Sequence, residues 1–173
     1  LVEIRHGDGV YVKDYLDSGC LELLPALMRS GGGFNIEIMR GVLDLRRLIL
    51  PDMAYQAALN RTGEDLAAME GVIRSAAISL NDRDMALYRL IARASKNIPF
   101  LIVLNFFNNS GLVDELLTLY FADPANVERT TRFYGDIFEA IKGRKPDRAR
   151  EVMLDLLVYA EAKTMEFLKE KSS

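Results

Sequence analysis

The chain has 173 residues, half of them hydrophobic, enough for one core of domain size. A formal net charge of −3 and a pI near 5.3 exclude a polyanion-binding surface spread over the whole chain, and the basic residues are scattered. The single cysteine, Cys20, excludes an internal disulfide and a multi-cysteine zinc site and fits a reducing cytoplasm, and its expected place is a small buried apolar position.

Residues 1–13 read as a β-hairpin. Val2 and Ile4, then Val10 and Val12, alternate with polar or aromatic neighbours around His6-Gly7-Asp8-Gly9. An isolated hairpin is marginal in water, so this one needs a partner beyond itself. With no initiator Met and an opening in mid-strand, the chain is expected to continue a larger N-terminal module.

Everything after residue 17 reads helical. Asp17 or Ser18 is expected to cap a helix running to about Arg29, followed by a break at Gly31-Gly32-Gly33. Asn35 caps a long helix with Ile38, Val42, Leu45, Ile49 and Met53 on one face; Pro51 should kink it and Asn60 ends it. Thr62-Gly63-Glu64-Asp65 is a capping-box start for a helix to about Ala77. Asn81 or Asp82 caps the next, which ends near Ser95. Pro99 opens a long apolar helix that passes Asn105, bends between residues 108 and 111, and continues to about Phe121. The longest apolar run within it, Ile98 to Phe107, is too short for the ~20 apolar residues of a membrane span. Asp123-Pro124, an N-cap with Pro at the first helical position, starts a helix that stops at Gly143, and Pro146 opens the last, to about Lys169. Roughly seven helices with short connections give an all-α fold, an antiparallel bundle with a short N-terminal hairpin. Residues 1–13 form one unit and 14–173 the other.

Catalytic chemistry is poorly supplied. The only histidine, His6, lies on the hairpin, so a Ser-His or Cys-His pair inside the bundle is excluded. Gly31-Gly32-Gly33 lacks the lysine and preceding strand of a phosphate loop. The carboxylate pairs Glu64/Asp65, Asp82/Asp84 and Asp114/Glu115 sit at helix starts or on solvent faces, where capping and solvation explain them. The chain is not expected to be an enzyme. A buried ligand pocket is better supported, because polar groups interrupt apolar stretches: Asn105, Arg46, Tyr88 and Tyr134.

Asp84, Tyr88 and Ala94-Ser95-Lys96-Asn97 resemble the D-x-x-x-H…A-S-x-N signature of FCD domains, the effector domains of the FadR subfamily of GntR transcription regulators. Tyr134 through Ala140-Ile141 resembles the family's H-x-x-I-x-x-A-I segment, and Ala149 through Met153 to Leu156-Leu157 its A-x-x-x-M-x-x-H-L segment. Ile4-Arg5-His6-Gly7 resembles the wing of a winged helix-turn-helix. The likeness spans nearly the whole chain.

The resemblance implies a cytoplasmic, dimeric regulator that binds a small-molecule effector and meets DNA through an N-terminal winged helix, with Arg5, His6 and Gly7 at the wing tip. Most members of this family hold a divalent metal with one Asp and three His. Here those positions carry Asp84, Tyr88, Tyr134 and Leu156, so no metal is expected and no other cofactor. The metal-free branch responds to long-chain acyl-CoA and controls fatty-acid metabolism. On that likeness Arg46, Asp84, Tyr88, Asn105, Tyr134, Leu156 and Lys169 are the expected ligand-binding residues. The family's ligand-lining Ser and Trp of the last helix fall on Ala160 and Thr164. Two alternatives stand beside this reading: a metal-independent sensor of a small organic acid, and a helical interaction or dimerisation domain without a ligand.

Overall fold

The structure, a computed structural model, describes residues 2–30, 33–109 and 112–171. It is the expected all-α bundle with an N-terminal hairpin, with nine α-helices among the described residues.

Strands β1 (Val2–Arg5) and β2 (Gly9–Val12) pair antiparallel, with Val2 opposite Val12 and Ile4 opposite Val10. Gly7 (φ +83°) and Gly9 (φ +135°) take backbone angles that a side chain would strain, which is why this turn carries glycine. Tyr11 donates to Asp8 across the turn at 2.8 Å, and Lys13 pairs with Glu3. Val2, Ile4, Val10 and Val12 are all exposed, so the hairpin leaves an apolar face towards solvent.

The single helix expected from residue 17 to 29 is instead three short pieces. Asp14, not Asp17 or Ser18, caps α1 (Tyr15–Ser18), its carboxylate accepting from the Leu16 N–H. Gly19 and Cys20 are extended, a 3-10 turn covers Leu21–Leu23, and α2 is Leu24–Met28. Pro25 has no N–H to give to an upstream turn, and it sits in the first turn of α2, where that donor is not needed. The expectation of a buried Cys20 fails with it: the residue lies on this extended link and is exposed.

Helix α3 (Ile36–Asn60) is the spine. Asn35 caps it, accepting from Ile38 N–H at 3.1 Å, and it runs unbroken through Pro51. It packs along the last helix, α9 (Pro146–Lys171), where Arg47 meets Glu161 and Arg150 meets Asp52. Helix α4 (Gly63–Arg74) opens with the expected capping box, Thr62 and Asp65 satisfying each other's backbone N–H groups. It ends three residues before Ala77. Helix α5 (Leu80–Ala94) is capped by Ser79 rather than Asn81 or Asp82. Asn81 is drawn away, donating to Asp114 and Thr118 of a later helix.

The long apolar helix is two: α6 (Ile98–Asn109) and α7 (Leu112–Tyr120), with axes bent by 73°. Ser110 and Gly111, part of the expected bend, lie outside the described residues, as do Gly31 and Gly32. Helix α8 (Pro124–Lys142) is capped by Asp123 and ends at Gly143, as expected.

Two apolar clusters form the core. One gathers Met53, Ala57, Met69, Ile91, Ile137, Ile141 and Met153; the other gathers Met28, Met39, Val42, Leu43, Met165 and Leu168. They occupy the two ends of α3, and the space where they meet is not filled.

Candidate functional site

The unfilled space is a cavity that, with its mouth, holds about 1310 Å³ free of protein atoms. Its wall joins both clusters: Met39 and Leu43 from one, Leu50, Leu104 and Leu156 from the other. Helix α2 contributes Leu24, Pro25 and Met28, and α7 contributes Leu116, Leu117 and Tyr120. The wall is overwhelmingly apolar. Three methionines, Met28, Met39 and Met85, line it, and their unbranched side chains can adjust to different occupants.

The polar groups in this wall are few and specific. Arg46 of α3 is half-buried, lines the cavity, and makes no ion pair or hydrogen bond with the described residues. Asp84 of α5 is buried and accepts from the Tyr134 hydroxyl at 3.0 Å. Burial pushes the Asp84 carboxyl up to about 6, although the Tyr134 hydrogen bond and the nearby Arg46 charge pull the other way. Burial, together with the Asp84 charge, drives both the Tyr88 and Tyr134 hydroxyls far above the usual tyrosine range. Both phenols therefore remain donors at neutral pH, and the Tyr88 hydroxyl has no hydrogen-bond partner among the described residues. Asn108 of α6 also lines the cavity, with its amide nitrogen buried and unpaired.

Of the sequence-predicted ligand residues, Arg46, Asp84, Tyr88 and Leu156 stand in this one wall, and Tyr134 stands behind Asp84. Asn105 and Lys169 do not line the cavity. Asn105 is on α6 but outside the wall, where Leu104 and Asn108 stand instead. Lys169 is exposed near the end of α9, past the cavity-lining Ala160 and Thr164. The sequence reading missed Asn108, Tyr120 and Thr130. A signal for the last existed: Asn126, Thr130 and Tyr134 recur every four residues on α8 and are all buried.

The four family metal positions fit a metal poorly. Tyr134 holds its proton towards Asp84 where a cation would sit, Tyr88 is likewise protonated, and Leu156 has no donor atom. Among the described residues no group of three or more His, Cys, Asp or Glu side chains is placed to hold one.

A helical bundle around an apolar cavity with a few convergent polar groups in its wall has the character of a ligand pocket. Residues 41–158 match the FCD domain family. The chain belongs to that family, the effector domains of GntR-type transcription regulators. The HTH-type transcriptional regulator Mce2R of Mycobacterium tuberculosis is 25% identical over 178 residues, the match spanning all of this chain and 73% of that protein. The HTH-type transcriptional regulator Mb0601 of Mycobacterium bovis shows the same identity and coverage. A GntR structure from Streptococcus agalactiae superposes with a TM-score of 0.62 at 20% identity, over 93% of this chain and 74% of that one, a likeness of fold.

Proposed function

We propose that this chain is the sensing part of a DNA-binding regulator and that its effector is a long-chain acyl compound, a fatty acid or its CoA thioester. The observation that carries the reading is Arg46: a guanidinium with no hydrogen bond or ion pair among the described residues, in the wall of an apolar cavity. A half-buried guanidinium with free donors favours an anionic or strongly polar head beside it. The apolar remainder of the wall suits an alkyl chain better than a small, fully hydrated acid. Tyr88 and Asn108 supply further donors near the head.

Helix α2 gives this site a path to an output. Its residues line the cavity, and only α1 and a short turn separate it from the hairpin. An occupant that prefers one placement of α2 shifts the hairpin with it. In this reading the hairpin is the wing of a winged helix, Arg5, His6 and Gly7 approach DNA, and the regulator acts as a cytoplasmic homodimer without a metal. Native mass spectrometry after addition of oleate, oleoyl-CoA or citrate tests the ligand class. A one-to-one adduct with oleate or oleoyl-CoA that weakens in Arg46→Ala is expected. Adducts with citrate alone would favour the small-acid sensor, and none with any of the three would favour an interaction domain.

A further inference from the structure

A second cavity, holding about 730 Å³ with its mouth, adjoins the first. Leu116, Tyr120 and Thr164 line both, so these three side chains form the partition between them. The partition stands between α7 and α9.

The partition has a fixed frame and, on α9, short side chains. Asn126 donates to the Tyr120 carbonyl at 2.8 Å and accepts from the Tyr159 hydroxyl at 2.9 Å, pinning the end of α7 to α8 and α9. Further along α7, Asn81 holds Asp114 and Thr118, and Arg29 pairs with Glu115. Against this held helix, α9 presents Ala160 and Thr164 to the cavity, both short side chains. The Thr164 hydroxyl has no protein partner among the described residues.

The outer cavity is chemically unlike the inner one. Beyond the partition it is lined by Asp123, Asn126, Lys163 and Glu166, with Leu119 and Phe167. Lys163 is paired with Glu166 at 2.9 Å, leaving Asp123 as an excess negative charge. Such a rim disfavours a polyphosphate head more strongly than an apolar chain with one carboxylate.

We infer that Leu116, Tyr120 and Thr164 form an aperture through which the effector reaches the inner cavity, and that the outer cavity is a vestibule for a singly charged amphiphile. This rests on the proposed function only for the identity of the amphiphile. The aperture is argued from the shared wall alone.

The test separates the two. In a Cys20→Ser background, Leu104→Cys places a thiol in the inner wall, and its labelling by methyl methanethiosulfonate is followed by mass. Adding Thr164→Trp or Leu116→Phe should slow labelling at least tenfold while the circular-dichroism spectrum is kept. Labelling within twofold of the unblocked protein, or no labelling of the unblocked protein, overturns the aperture whatever the effector is. Stopped-flow binding then addresses the vestibule. Oleate should associate at least tenfold faster than oleoyl-CoA, and Thr164→Trp should slow oleate association. Equal or faster association of oleoyl-CoA overturns the charge selection, whereas failure of either ligand to bind counts against the proposed function alone.

Discussion

Replacing Asp84 with Asn should stabilise the domain above pH 7. The carboxyl is buried and titrates at about 6 in the folded protein, against an ordinary 3.8. A raised carboxyl pKa means that the folded state holds the proton more tightly than the unfolded chain. Its favourable contribution is therefore complete below about pH 4 and is lost as pH rises through about 6. Two pKa units at 1.36 kcal/mol each make the loss about 3 kcal/mol. Asn has no charge to desolvate, and its side-chain oxygen can still accept from the Tyr134 hydroxyl. For a chain of this size about 3 kcal/mol corresponds to a Tm rise of roughly 6–12 °C. Melting followed by circular dichroism from pH 4 to 8 measures it: the wild type should lose stability between pH 4 and 6, and Asp84→Asn should not. Parallel profiles, or a variant less stable than wild type at pH 8, would refute the assignment of a desolvation penalty to this carboxyl.

Arg46→Ala should weaken binding of an acyl carboxylate by roughly 10–150-fold, the ~1.5–3 kcal/mol of a charge-assisted hydrogen bond, as read by calorimetry. Thr62→Ala removes the hydroxyl that caps α4 and contacts Asp65, and should cost about 1–2 kcal/mol in urea unfolding. Arg144→Ala releases two carbonyls at the end of α3, those of Leu59 and Arg61, and should cost about 1 kcal/mol in the same assay, with ligand affinity unchanged.

What the sequence made legible was local. Asn35, Thr62 and Asp123-Pro124 announce helix starts because a cap needs only the neighbouring backbone, and all three act as read. Around residue 80 the same logic failed because Ser79, Asn81 and Asp82 can all cap. The choice was made by α7, which takes the Asn81 side chain. In the site, Arg46, Asp84 and Tyr88 were readable as polar groups on apolar faces. The helix rotation that puts Asn108 rather than Asn105 in the wall depends on how α6 packs against α5 and α7, and a run as apolar as Leu101–Phe107 carries no face preference to reveal it. Lys169 was misplaced for a related reason: Ala160 and Thr164 repeat along one face of α9, which continues to the buried Leu168 and leaves Lys169 turned outward.

The most direct test of the account is a chain-length series by calorimetry: octanoate, laurate, palmitate and oleate titrated into the domain at pH 7. One site per chain is predicted, with affinity rising by up to ~0.8 kcal/mol for each methylene buried until the cavity is full. Affinity independent of chain length, or heat only from short polycarboxylates, would contradict a cavity built for an acyl chain.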